Sequence, residues 1–340
     1  MANGQTTMTI KKLVFAALLS GLVFSAAAAD QAPAPVAPAV AAPAAAPAAE
    51  PPAAPRSMGT EYTEKGADTC LMCHVDGGDF PVFAIFKTKH ANRADKRTPF
   101  AGLQCEACHG PGKKHADGGG GPDGINNFQP SSFLTPQQRN KYCLECHQNN
   151  ARTGWIGSTH DNNNIACSDC HKIHAERDPV LATATQPDVC YKCHKKQRAD
   201  FAKPSAHPVR FGKMTCSECH SPHGSNATAM LNKPTVNQTC YTCHAEKRGP
   251  FLWEHAPVAE DCTLCHSPHG TVRPSLLTKT PPLLCQQCHS VAGHPSVART
   301  STALPGGGGG GSAFLLAGSC TNCHSQVHGS NHPSGVKLMR

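Results

Sequence analysis

Apolar residues gather in one unbroken run near the start of the chain, Leu13 to Phe24, and nowhere else for long. Lys11 and Lys12 precede the run and Ala27-Ala28-Ala29 follow it. Basic flank, short apolar stretch and small-residue site together read as a secretory signal peptide over residues 1–29, cleaved before Asp30. The run is too short for a membrane span. No Cys lies near the cleavage site, so no lipid anchor is expected. Residues 30–57 are Ala and Pro with no period, a composition that favours an extended linker and cannot bury a core. From residue 58 onward no sustained period-2 alternation and no long 3.6-residue period appears. The expected fold is therefore mostly coil with short α-helices, not sheet or bundle.

Composition sharpens this. A chain of 340 residues would ordinarily make two domains. Aromatic residues are only 5%, however, while 30 Gly and 29 Pro leave little side-chain material for a core. The 20 Cys and 21 His point to something else filling the interior.

The cysteines are ordered. Cys262-Thr263-Leu264-Cys265-His266 has the spacing for covalent haem c attachment: two thiols add to the porphyrin vinyls and the next imidazole lies under the iron. The same pattern recurs at Cys70/Cys73/His74, Cys105/Cys108/His109, Cys143/Cys146/His147, Cys167/Cys170/His171 and Cys190/Cys193/His194. It continues at Cys216/Cys219/His220, Cys240/Cys243/His244, Cys285/Cys288/His289 and Cys320/Cys323/His324, leaving no cysteine over. Zinc sites and disulfide scaffolds also use paired cysteines, but neither needs a His after every second one. The expected cofactor is ten covalently attached haem c groups.

Details repeat in pairs. Cys143, Cys190 and Cys240 are 47 and 50 residues apart, and Cys167, Cys216 and Cys262 are 49 and 46 apart. His220-Ser-Pro-His223-Gly224 matches His266-Ser-Pro-His269-Gly270. About 25 residues per motif cannot pack alone, so the units must share a core, as in a repeat array. The reading is a decahaem domain over 58–330 built from five two-haem repeats, about 58–130, 131–180, 181–230, 231–275 and 276–330, with a tail at 331–340. The arrangement predicted is an elongated haem wire. Gly118–Gly121 and Gly306–Gly311 read as loops; neither has the Lys-Ser/Thr ending of a phosphate-binding loop.

Eleven histidines remain as candidate second axial ligands: His90, His115, His160, His174, His207, His223, His255, His269, His294, His328 and His332. A His three residues after the proximal one cannot reach around its own macrocycle. The expectation is crossed ligation within each unit: His269 to the haem on Cys240/Cys243, and His255 to the haem on Cys262/Cys265. By repeat, His115 and His90 serve haems one and two, His174 and His160 three and four, and His223 and His207 five and six. His328 and His294 serve nine and ten, leaving His332 spare. No Met recurs with the repeat. All-histidine ligation implies low potentials and no open coordination position. An enzyme would need an open position, so no catalytic residue is assigned.

The formal charge is +8, or +6 once Lys11 and Lys12 are removed. Ten haems with two propionates each would bring it to roughly −4 oxidised and −14 reduced. The basic excess therefore balances propionates, and no basic stripe with interleaved aromatics argues for nucleic acid.

An exported chain of this length with ten CxxCH motifs and paired CHxxH-Gly elements resembles the periplasmic decahaem cytochromes of porin–cytochrome conduits. These are the MtrA/MtoA type, also called the DmsE family. The resemblance covers roughly residues 60–330; the Ala/Pro segment and Gly306–Gly311 depart from it. It implies electron transfer across the outer membrane through an outer-membrane β-barrel porin. It also implies exchange with periplasmic or inner-membrane cytochromes on one side and an extracellular multihaem cytochrome or mineral on the other. The alternatives are a soluble periplasmic shuttle or a multihaem nitrite or hydroxylamine enzyme. The larger cell-surface decahaem cytochromes, with extra β domains and a lipidated Cys, match less well.

Overall fold

The computed structural model describes residues 56–149, 152–290, 294 and 319–340. The signal peptide, nearly all of the Ala/Pro linker and the Gly306–Gly311 run lie outside the described residues. Among those described there is no β-strand, only isolated bridges, and every helix is short; the longest is Pro136–Leu144, nine residues. No helix among them is long and apolar enough to cross a membrane. The chain is mostly coil with short helical turns.

The turns sit where the motifs are. In all ten, the His N–H donates to the carbonyl of the first Cys, four residues back, at 2.8–3.1 Å. One helical turn puts residues i, i+3 and i+4 on one face. Both sulfur atoms and the imidazole thus leave the backbone on the same side. The turns need local help to form. Thr135 starts Pro136–Leu144 with a capping box: its hydroxyl accepts from Gln138 N–H, and the Gln138 side chain accepts from Thr135 N–H. Ser158 and Thr235 cap Thr159–Asn162 and Val236–Cys240 through their hydroxyls.

The apolar core is sparse. Eight described apolar residues are buried, and the one cluster is Tyr191, Phe201 and Val209, flanked by Ala206 and Met214. Polar clamps carry much of the order instead. Asn140 accepts from Cys167 N–H at 2.8 Å and donates to the Ile165 carbonyl at 3.1 Å. Asn237 repeats this on Cys262 N–H, at 2.8 Å, and on the Val258 and Ala259 carbonyls. Both sit three residues before the first Cys of one motif and hold the first Cys of the next. Gln186 and Ser217 exchange two bonds in the equivalent place, and Gln104 accepts from Ala67 N–H at 2.7 Å. Buried Glu106 is satisfied by Thr63 N–H, the Thr63 hydroxyl and Gly112 N–H.

Candidate haem sites

Each of the ten motif histidines has a second imidazole facing it. The ring centroids are His74–His115 6.3 Å, His109–His174 6.0 Å, His90–His147 6.0 Å, His171–His223 6.1 Å and His160–His194 6.2 Å apart. They continue with His220–His269 6.0 Å, His207–His244 6.4 Å, His266–His328 6.1 Å, His255–His289 6.0 Å and His294–His324 6.2 Å. A metal ion bonded to a nitrogen of each ring, at about 2 Å per bond, would set the centroids at about this separation. His332 has no such partner; its Nδ1 accepts from Ser334 N–H.

The pairs correct the crossed scheme expected within units. His269 lies beside His220 rather than His244, and His207 beside His244 rather than His220. The same exchange holds for His90 and His174, His160 and His223, and His255 and His328. Only His115 with His74 and His294 with His324 fall where the within-unit scheme put them. The observed rule is simpler. A His following an even motif faces the even motif of the preceding unit, and a His preceding an even motif faces the odd motif of the next. At the two ends no neighbour exists, so His115 and His294 turn inward.

Backbone contacts explain the exchange. Gly270 N–H donates to the Ser267 carbonyl, closing a turn that carries His269 away from its own motif. Thr271 then bridges Ser205 in both directions, at 2.8 and 3.1 Å. His269 and His207 each lie two residues from the bridge, on the same side of it. His207 Nδ1–H donates to the Pro268 carbonyl at 2.7 Å, which locks the two together. The Trp253–Ser330 bridge holds His255 and His328 in the same way, with His255 Nδ1–H on the Val327 carbonyl at 2.9 Å. His160 donates likewise to the carbonyl of Pro222, beside His223, at 2.8 Å. Each clasp joins segments 60 to 80 residues apart and presents imidazoles to two consecutive motifs. Glycine permits the approach. A Cβ on Gly224 would sit 2.2 Å from the Gly154 carbonyl oxygen, and one on Gly270 2.1 Å from that of Asp200.

The motif histidines are oriented too. Nδ1–H of His109, His220, His266 and His324 donates to the carbonyls of Asn126, Ala229, Ser275 and Lys337 at 2.7–2.8 Å. His171 donates instead to the Asp178 carboxylate at 2.6 Å. A carbonyl accepts only, so the proton is on Nδ1 and the Nε2 lone pair is free for a metal. Two of these carbonyls sit in strained turns: Ala229 and Met230 are both left-handed, φ 52°, as are Ser275 and Leu276, φ 55° and 58°. A residue with a side chain costs about 1–2 kcal/mol there. The turn is held by Ser221 and Ser267, whose N–H groups donate to Met230 and Leu276 at 2.7 Å. Burial pushes the imidazoles of His90, His147, His174, His223, His269 and His328 down from the ordinary value. It pushes His109 to about 4, against the opposing pull of the Asn126 carbonyl. Neutral imidazole is the metal-binding form.

Cysteines of successive motifs come near one another. The thiols of the first cysteines lie close enough to interact in the pairs Cys70–Cys105, Cys143–Cys167, Cys190–Cys216, Cys240–Cys262 and Cys285–Cys320. Between these pairs, Cys108 lies within electrostatic reach of Cys143 and Cys146, and Cys170 of Cys190 and Cys193. Cys219 is likewise near Cys243, and Cys265 near Cys288.

Of the twenty predicted attachment residues, Cys73 and Cys323 belong to the first and last motifs. Cys73 is exposed and Cys323 half-buried. There the second Cys has no further motif to meet. Their local geometry is that of the other motifs: Cys73 N–H donates to the Cys70 carbonyl at 3.2 Å, and Cys323 N–H to that of Cys320 at 3.3 Å. Each thus keeps the turn that sets its sulfur beside its own motif's first Cys and His.

The residues fit haem c. Histidine pairs supply two nitrogens at each site, while no cluster of three or more His, Cys, Asp or Glu with metal-binding geometry occurs among the described residues. The Nε–H groups of Arg139 and Arg152 are buried with no acceptor. Arg152 stands near His147 and His223, where haem propionates would give it partners. Asn140, Asn237, Asp178 and Arg152 were not singled out in the sequence. Only the two asparagines left a signal there, an Asn-x-x-Cys at matching repeat positions.

Comparison with known proteins agrees. A family model described as "Doubled CXXCH motif" matches residues 207–249 and 255–294. Models described as "Cytochrome c-type protein NrfB-like" and "Cytochrome c554 and c-prime" match 105–187 and 44–110. The chain is 52% identical over 279 residues to the multiheme cytochrome MtrA of Shewanella baltica, covering 82% of this chain and 83% of the relative. It is 26% identical over 136 residues to the cytochrome c-type protein NrfB of Escherichia coli, 38% of this chain and 66% of that protein.

Proposed function

The chain belongs to the MtrA family of multihaem c-type cytochromes, binds haem c and transfers electrons, and from that premise we propose that it carries ten haems, each with two histidine ligands, as one continuous conductor. The axial ligands are the ten facing pairs: His74 with His115, His109 with His174, His147 with His90, His171 with His223 and His194 with His160. The second half pairs His220 with His269, His244 with His207, His266 with His328, His289 with His255 and His324 with His294. The twenty motif cysteines hold the porphyrins. Bound iron would supply a one-electron couple; Nδ1–H bonds to carbonyls, or to the Asp178 carboxylate, orient His109, His160, His171, His207, His220, His255, His266 and His324 with Nε2 free for it.

The observation that carries the reading is continuity. Each motif histidine faces a second imidazole, and the Ser205–Thr271 and Trp253–Ser330 clasps present imidazoles to consecutive motifs, six with seven and eight with nine, so neighbouring sites share their supports. Cys73 and Cys323 belong to the terminal motifs, where electrons would enter and leave. With two imidazoles on each iron there is no open position for a substrate, and the protein is a carrier, not an enzyme. About 27 residues per haem over 58–330 make a thin sleeve around the cofactors.

The setting follows from the family resemblance and the export signal. We place the protein in the periplasm against the outer membrane, seated in a β-barrel porin. It would take electrons from, or give them to, periplasmic or inner-membrane cytochromes on one side. On the other side it would meet an extracellular multihaem cytochrome or a mineral. The test is purification from solubilised outer membranes, followed by reconstitution of the isolated complex in liposomes loaded with reduced methyl viologen. External ferric citrate should oxidise the trapped dye. Recovery only from the soluble periplasm, with no barrel and no transfer across liposomes, would leave a periplasmic shuttle and end the conduit reading.

A further inference from the structure

Five even-numbered motif histidines have an acceptor on Nδ1, and four of those acceptors are backbone carbonyls. The fifth is the carboxylate of Asp178, on His171, and its bond is the shortest of the set at 2.6 Å. Among the described residues no other motif histidine meets a carboxylate at hydrogen-bonding distance; Glu246 stands 3.8 Å from His244. Asp178 is well fixed. Its side chain is 12% exposed, its one ionic contact is His171, and its second oxygen accepts from Lys172 and Val180 N–H. It caps the turn Pro179–Leu181. At motifs six and eight the acceptor is a strained turn nine residues on. After His171 the chain uses a side chain seven residues on instead.

We propose that Asp178 lowers the reduction potential of the haem on Cys167/Cys170 below that of the carbonyl-bonded haems on either side of the repeat. It is a positioning residue, acting through His171. A charge-assisted hydrogen bond is about twice as strong as a neutral one. It draws the Nδ1 proton toward the carboxylate and makes the imidazole a stronger donor. A stronger donor stabilises ferric over ferrous iron, and second-shell hydrogen bonding is one of the levers that sets haem potential. The fourth of ten sites would then be a step in the energy profile that electrons cross. The inference rests on His171 being an axial ligand, as proposed above.

The test is Asp178→Asn in the full haem-loaded protein. Asn is an equal cap and still accepts from His171 through its amide oxygen, so the change turns a carboxylate into the carbonyl type found at the other sites. Haem is counted by pyridine haemochrome, and reduction is followed by spectroelectrochemistry with parallel electron paramagnetic resonance. With ten haems retained, one-tenth of the absorbance change should move to higher potential. The reduced-to-oxidised ratio at that haem should rise about tenfold at fixed potential, ~59 mV for a one-electron couple. Curves that superimpose on the unmodified protein overturn the inference. If D178N loses haem, Asp178→Ser, which also caps, is titrated instead, with the same two outcomes. A high-spin or carbon-monoxide-binding iron in the unmodified protein would instead defeat the ligation reading beneath it.

Discussion

Gly270→Ala should open one haem in ten. The residue sits at φ 140°, a region that a side-chain-bearing residue enters at a cost of about 1–3 kcal/mol. Its new Cβ would fall 2.1 Å from the Asp200 carbonyl oxygen, 2.9 Å from the carbonyl carbon and 3.1 Å from Ala206 Cβ. Ordinary contact begins near 3.4 Å, so the 267–271 turn must retreat by more than 1 Å from a backbone that cannot give way. His269 is the adjacent residue, and a metal–nitrogen bond does not stretch by that much. At about 1.4 kcal/mol per tenfold, 2–3 kcal/mol shifts the ligand equilibrium toward the open form by about 30- to 150-fold. The assay is carbon monoxide titration of the reduced protein, with His269→Ala as the ceiling. Both variants should bind about one carbon monoxide per ten haems, at a site that is silent in the unmodified protein. Removing the haem on Cys216/Cys219 should abolish that binding, because the opened iron is the one facing His269. A G270A protein that stays fully low-spin and silent would refute the clasp argument. Binding that survives loss of the Cys216/Cys219 haem would return His269 to the haem on Cys240/Cys243.

Asn237→Ala removes the partner of Cys262 N–H and of two carbonyls; leaving such groups unpaired costs about 1–3 kcal/mol each, and the unfolding temperature should fall with haem content unchanged, whereas an unchanged melt would show the clamp to be idle. Expression without haem attachment should give a chain with no cooperative thermal transition by circular dichroism, since eight buried apolar residues cannot offset the chain entropy; a sharp transition in that chain would contradict the idea that haem is the core.

How much of this the sequence carried depends on range. The motif turns are local: five residues dictate one i to i+4 bond and a shared face, so the ten turns and the histidines that face them could be read from spacing. The absence of strands among the described residues followed from the absence of alternation. The pairing of His269 with His220 reaches beyond its own unit. Sterics correctly keep His269 off its own haem, but they do not choose between two neighbours. That choice lies in the Thr271–Ser205 bridge and the close approach to Asp200, contacts more than 60 residues apart. The glycine after each such His was visible, as His223-Gly224 and His269-Gly270, and its packing role was not. Spacing also made all twenty cysteines look alike, whereas Cys73 and Cys323 are set apart by their place at the ends of the file. Asp178 and Arg152 left no trace because neither recurs with the repeat.

The central claim is a continuous file of ten haems, ligated across unit boundaries. An experimental structure of the haem-loaded protein, with the irons located by anomalous scattering, tests it most directly. The account predicts ten irons in motif order, each flanked by its facing pair, with His269 and His220 on one iron and His207 and His244 on the next. An iron held by His269 and His244, or a break in the file between any two consecutive motifs, would contradict it.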